Sequence, residues 1–223
     1  MDITVTEQIE LLEIRMQIYN FLSTVFRCPP GPEQMHIILE QDLFADFPLE
    51  IEESNYLGAL SALAHWSNQS KELDLSEVVA TLRRDYTQLF IGPGHLPAPP
   101  WESVYRSEER LTFGEQTLEV RECYRRHGLQ FVLKNNEPDD HFGLELEFMA
   151  YLSNAQLQAL AENNLALAGD LAKEQLAFLN EHILKWSKDF LKDVSDNANT
   201  GYYQGVALLT QSFLEWDYAC LTI

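Results

Sequence analysis

The sequence predicts an all-α fold. Long segments carry apolar residues at spacings of three and four, prolines, glycines and asparagines punctuate them, and no stretch shows convincing strand alternation. The pattern gives about 8–11 helices in a single globular domain. Within it, two helical halves, 1–91 and 113–223, are joined by a proline-rich hinge loop at 92–112.

The first helix is expected over 6–27. Ile9, Leu12, Met16, Tyr19, Leu22 and Phe26 share one face, and Ile14, Ile18, Phe21 and Val25 form a second stripe. Two stripes are more than a surface helix needs, which makes this helix central to the core. Cys28-Pro29-Pro30-Gly31-Pro32 ends it. A short helix follows over 33–42, then one over 55–68 with Leu57, Leu60, Leu63 and Ala64. Ser76 suits an N-cap for a helix that carries Val78, Val79, Leu82, Tyr86, Leu89 and Phe90 and stops at Gly92-Pro93. The prolines and glycines of 89–105 forbid a continuous helix and predict a stiff, extended connection.

The second half opens with a helix over 115–126, ended by Gly128, and an extended or irregular stretch over 129–136. Pro138 then suits a helix start, because its fixed φ and missing N–H cost nothing in a first turn. Asp139 and Asp140 favour the same position through the helix dipole. This long helix, 138–162, also bears two stripes, Leu144/Phe148/Tyr151 and Leu146/Met149/Leu152. Asn163-Asn164 interrupts it before a helix over 165–181 with Leu171, Phe178 and Leu179 inward. Another carries Ile183, Trp186, Phe190 and Val194 up to a polar turn at 195–201. The last helix, 202–222, buries Val206, Leu209, Phe213 and Trp216.

Composition narrows the function. A chain of 223 residues buries roughly 70% of its unfolded surface and needs no staples. Its net charge of −20, from 35 acids against 15 bases, argues against nucleic acids and anionic membranes and favours a cationic partner. Three cysteines without a CxxC pair speak against both a disulfide framework and a zinc site and suit a reducing compartment. No apolar run reaches membrane-spanning length and the N-terminus is acidic, so the expectation is a cytoplasmic protein without stable membrane insertion.

Metal chemistry finds only half-motifs: Glu33-Gln34-Met35-His36, and His141 with Glu145. Gly92-Pro93-Gly94 lacks the Lys-Ser/Thr of a phosphate-binding loop. The Arg83-Arg84 and Arg125-Arg126 pairs lie within expected helices and are no export signal. The sharper candidates are His141 beside Asp140, where a carboxylate would raise the imidazole pKa, and Trp101 behind Pro99-Pro100. The first pair equally suits a helix cap, and the Trp equally suits an anchor for its own loop.

Leu89-Phe90, Trp101-Glu102-Ser103-Val104-Tyr105 and Glu137-Pro138-Asp139-Asp140-His141 resemble the TorD/DmsD family of cytoplasmic chaperones for molybdenum enzymes. Phe113-Gly114 and Gly128-Leu129-Gln130-Phe131 between them are similar too. Outside 89–141 the likeness is a weaker helical one. The resemblance implies a non-enzyme without cofactor. It would bind the twin-arginine leader and apo form of a molybdenum-cofactor reductase of the dimethyl-sulfoxide or trimethylamine-N-oxide type. It would aid cofactor insertion and hold back export until maturation is complete. The peptide-binding residues it implies are Phe26, Leu89, Phe90, Pro100, Trp101, Tyr105, Asp140 and His141. The family has been linked to guanine nucleotides, for which this sequence holds no motif. It also implies a monomer that can form a domain-swapped dimer through 92–112. The alternative reading of the residues is a metal- or nucleotide-dependent helical-bundle enzyme.

Overall fold

The computed structural model describes residues 5–130 and 137–222. In chain order its helices are α1 (Val5–Arg27), α2 (Pro32–Glu40), α3 (Ser54–Ser70), α4 (Leu75–Tyr86), α5 (Glu102–Arg106), α6 (Glu115–Arg126), α7 (Phe142–Ala161), α8 (Leu165–Phe178), α9 (Leu184–Asn197) and α10 (Gly201–Leu221). A π-helical turn extends α4 over Thr87–Ile91, and another joins α8 to α9 over Leu179–Ile183. Among the described residues the β pairing is a lone antiparallel bridge between Trp101 and His141. The all-α class is therefore the observed one. Of the irregular stretch expected at 129–136, residues 131–136 lie outside the described residues.

The chain divides into two compact units, interleaved in sequence: 1–27, 101–187 and 217–223 form the first, and 28–100 with 188–216 form the second. This grouping takes a different course from the halves 1–91 and 113–223, since α1 goes with α7.

In the first unit α1 and α7 make the most extensive helix pairing, and α8 packs on α7. Both expected stripes of α7 turn inward except for Tyr151, which is half-buried, and Leu146, Met149 and Leu152 are fully buried. Close approach requires Gly143: a Cβ there would stand 2.3 Å from Arg27 Cγ and 3.0 Å from the Ser23 carbonyl. Ser23 Oγ donates to the Gly143 carbonyl at 2.7 Å at the same crossing. A polar cluster also lies in this core. Arg15 donates to Asp217 and, at 2.9 Å, to Gln175 Oε1, while Tyr19 donates to Asp217 Oδ2 at 2.6 Å.

In the second unit Asp85, almost fully buried, accepts from the backbone N–H groups of Asn199 (3.0 Å) and Thr200 (2.8 Å) and from the Thr200 hydroxyl (2.6 Å). It thereby satisfies donors at the entrance to α10. Phe44, Trp66 and Tyr202 form an aromatic cluster.

Several boundaries differ from expectation for local reasons. Asp74, not Ser76, caps α4, accepting from Ser76 N at 2.8 Å. The inward face of α3 is Tyr56, Ala59, Leu63, Ser67 and Ser70, leaving Leu57 55% exposed. A short helix, α5, interrupts the expected extended loop, and Trp216 is only half-buried. Helix α7 starts at Phe142 rather than Pro138, because Asp139 and Asp140 are committed to tertiary hydrogen bonds instead of a first turn and His141 serves as the N-cap.

Candidate functional site

The start of α7 and the segment 101–106 meet in the first unit through the Trp101–His141 bridge. The Glu102 amide donates to the Asp140 carbonyl at 3.0 Å, just behind that bridge. The Asp140 side chain, fully buried, accepts from Ser103 N at 2.8 Å and from the Thr117 hydroxyl at 2.7 Å. It ties the 101–106 segment and α6 to α7. Asp139 also holds α6, its Oδ2 accepting from Arg121 Nε and Nη2 at 2.9 and 2.6 Å. Tyr124 donates its hydroxyl to the Asp139 carbonyl at 3.1 Å.

His141 is the N-cap of α7: its Nδ1 accepts from Gly143 N at 3.1 Å. That bond leaves the proton on Nε2, which stands 3.6 Å from Glu137 Oε1. Burial and the nearby Arg27 charge push the His141 pKa down to about 3, from 6.5. The expected rise is thus reversed, because desolvation outweighs the carboxylates around it.

Two more buried carboxyl groups complete the centre. Glu102 accepts from Arg106 and, at 3.0 Å, faces His182 Nδ1. Glu145 accepts from Trp186 Nε1 at 3.1 Å. Burial first, then the charges of Glu102 and Asp140, hold the Glu145 pKa well above the carboxylate range. Its other oxygen, Oε1, is buried with no hydrogen-bond partner among the described residues.

Trp101 lies half-buried over this centre, its ring 6.2 Å from that of His141 at an interplanar angle of 79°. Its N–H lies against the Glu137 carboxyl without reaching hydrogen-bond geometry. Tyr105, also half-buried, leans on Trp186 at 5.4 Å and carries the Arg110 guanidinium 5.2 Å from its ring centre. Phe26 is wholly buried edge-on to Phe142 at 5.0 Å.

Of the eight residues proposed from sequence, the first unit holds Phe26, Trp101, Tyr105, Asp140 and His141, and the bridge brings Trp101, Asp140 and His141 together. Leu89, Phe90 and Pro100 belong to the second unit and are buried there; Phe90 packs on Tyr86 (5.1 Å) and Tyr203 (5.8 Å). Sequence reading placed Glu102 near the cleft and named Glu145 beside His141 only as a metal half-motif, and it missed His182. A periodic signal existed for two of the three. Glu145 falls in register with Phe148 and Leu152, and His182 with Leu171 and Phe178, so each is an ionisable group on an apolar stripe.

The second unit bears an open groove of about 550 Å³ lined by Phe47, Leu49, Ile51, Leu57 and Leu60 together with Asp46, Glu50 and Glu52. Apolar walls rimmed by carboxylates suit a ligand that is both greasy and basic. Among the described residues, no three His, Cys, Asp or Glu side chains stand where they could hold a metal ion. No described helix is long and apolar enough to cross a membrane.

The fold is similar to that of a crystal structure from Archaeoglobus fulgidus described as a redox enzyme maturation protein, which aligns with a TM-score of 0.52 over 90% of this chain and 93% of its own, at 22% identity. Residues 53–192 match the family described as nitrate reductase delta subunit, and the chain belongs to that family. The Tat proofreading chaperone DmsD of Salmonella typhimurium is 34% identical over 81% of this chain and 76% of its own length. The chaperone protein TorD of Vibrio cholerae is 28% identical over 95% of this chain and 93% of its own. A Haemophilus influenzae relative is 40% identical, over 61% of this chain and 60% of its own length.

Proposed function

We propose that this chain is a cytoplasmic maturation chaperone. It binds the twin-arginine leader and the apo form of a molybdenum-cofactor reductase, aids cofactor insertion, and holds back export until the enzyme is complete. The observation that carries this reading is the 34% identity to a Tat proofreading chaperone across 76% of that protein. Charge supports it. A twin-arginine leader is basic at its start and apolar in its middle, and a protein of net charge −20 attracts and steers such a peptide.

Within the eight proposed residues, exposure divides the labour. Trp101 and Tyr105 are half-exposed aromatic groups and serve as the anchors that touch the leader. Asp140, His141 and Phe26 are buried beneath and hold those anchors in place. Leu89, Phe90 and Pro100 shape the second unit. In this role the protein makes and breaks no bond in its client, which we take to be of the dimethyl-sulfoxide or trimethylamine-N-oxide reductase type. It acts chiefly as a monomer, with a swapped dimer reached by opening the hinge at 92–112.

The test is co-purification from the native cell grown so that its molybdenum reductases are expressed, with bound proteins identified by mass. Recovery of a reductase that still carries its twin-arginine leader supports the proposal. Recovery of the chaperone alone, with the reductase present in the same lysate, contradicts it.

A further inference from the structure

The network beneath Trp101 continues outward to a cysteine. Glu102 Oε2 lies 3.0 Å from His182 Nδ1, and His182 Nε2 lies 4.0 Å from Cys123 Sγ, the outer limit for a hydrogen bond to sulfur. Arg126 Nη2 donates to the same sulfur at 3.1 Å. The imidazole therefore stands between a carboxylate and a thiol, with an acceptor at each ring nitrogen. Burial opposes a charge on His182, but the hydrogen bonds to Cys123 and Glu102 outweigh it and push its pKa up to about 9, from 6.5. The charged form donates from both nitrogens and satisfies both acceptors at once.

The sulfur is reachable. Cys123 is part-exposed and lines an open cleft of about 510 Å³, in which Arg106, Arg126 and Lys185 stand among Glu119, Glu122 and Glu181. The other two cysteines differ. Cys28 is exposed, with no hydrogen-bond partner among the described residues. Cys220 sits where burial and the Asp217 charge push its thiol pKa upward.

We propose that Cys123, oriented by the Glu102–His182 pair and Arg126, is a peroxide-reactive thiol that takes hydrogen peroxide or a small organic hydroperoxide and becomes a sulfenic acid. Thiolate rather than thiol is the nucleophile, and cationic donors aimed at sulfur favour it. The sulfur attacks the terminal oxygen of the hydroperoxide. An S–O bond forms, the O–O bond breaks, and the alkoxide or hydroxide that leaves takes the proton of the His182 imidazolium. The sulfur is oxidised by two electrons and the peroxide is reduced to an alcohol or water.

The experiment treats the reduced, full-length protein with limiting hydrogen peroxide and traps sulfenic acid with dimedone. Peptide mass spectrometry then gives a rate for each cysteine. Cys123 is expected to label at least about tenfold faster than Cys28, although Cys28 is the more exposed. Arg126→Gln alters an exposed side chain, whose other charged neighbour is Glu174 at 3.8 Å, and is expected to slow Cys123 at least about threefold while Cys28 is unchanged. His182→Gln is expected to slow it further; if that variant does not fold, Arg126→Gln decides. Equal rates at Cys123 and Cys28, faster labelling of Cys28, or an Arg126→Gln protein that reacts like the parent would each overturn the proposal.

Discussion

Asp140→Ala removes the carboxylate that joins the 101–106 segment and α6 to α7. Two donors lose their acceptor, the Ser103 amide at 2.8 Å and the Thr117 hydroxyl at 2.7 Å, in a place with no solvent exposure. Each buried donor left unsatisfied costs about 1–3 kcal/mol, which sums to about 2–6 kcal/mol. One effect runs the other way. Asp140 is among the charges that hold the Glu145 carboxyl protonated, so its removal relieves repulsion within the acidic centre. The expected net loss is therefore in the lower part of that range, about 3 kcal/mol. Asp140→Asn keeps one acceptor for the Ser103 amide, and the Thr117 hydroxyl can turn to accept from the new amide, so this variant should lose about 1 kcal/mol or less. Urea denaturation at constant slope measures both. An Ala variant within about 1 kcal/mol of the parent would refute the reasoning, because it would mean that Asp140 does not bear the joint.

Trp101→Ala is expected to weaken leader binding by about 2 kcal/mol or more while leaving the melting temperature nearly unchanged, by calorimetry and thermal melts on the same samples. A loss of binding matched by a large fall in stability would make Trp101 structural instead. His141 has its folded pKa depressed from 6.5 to about 3, so its contribution is present above 6.5 and is lost as pH falls toward 3. The slope is about 1.4 kcal/mol per pH unit in that window, and His141→Gln should remove that component from the acid limb of a stability–pH curve. Glu145 is the opposite case. Its folded pKa is raised, so its contribution is complete below 4.5 and declines as pH rises. Glu145→Gln, neutral at every pH and still able to accept from Trp186, should be more stable than the parent on the alkaline side; a parallel curve would contradict this.

The periodicities of α1 and α7 announced the central pair of the first unit, because apolar stripes are local patterns that tertiary packing simply uses. The proline stop after Arg27 and the Asn163-Asn164 break were legible for the same reason. The start of α7 was not. Pro138 and two acids mimic a first turn, and only the partners of Asp139 and Asp140, 18 and 37 residues away in sequence, show that they are spent elsewhere. The buried polar groups share a single signature that periodicity alone passes over. Arg15 lies in register with Leu12, Tyr19 and Leu22, Gln175 with Leu171 and Phe178, and Asp217 with Phe213 and Leu214, each a polar side chain on an apolar face. Glu102 carries no such mark, since α5 is too short to have a stripe. The resemblance supplied Trp101, Asp140 and His141 as a group. It did not reveal that two of them are buried, which follows only from the packing of α5 and α6 around the entrance of α7.

The most direct test of the chaperone reading is calorimetric titration with a synthetic twin-arginine leader from a molybdenum reductase of the same cell, at low and at high salt. Binding of one peptide per chain is predicted, weaker at high salt because an acidic protein meets a basic peptide, and weaker again when both leader arginines are replaced by alanine. Binding that is absent for that leader, or identical for a scrambled peptide of the same composition, would contradict it.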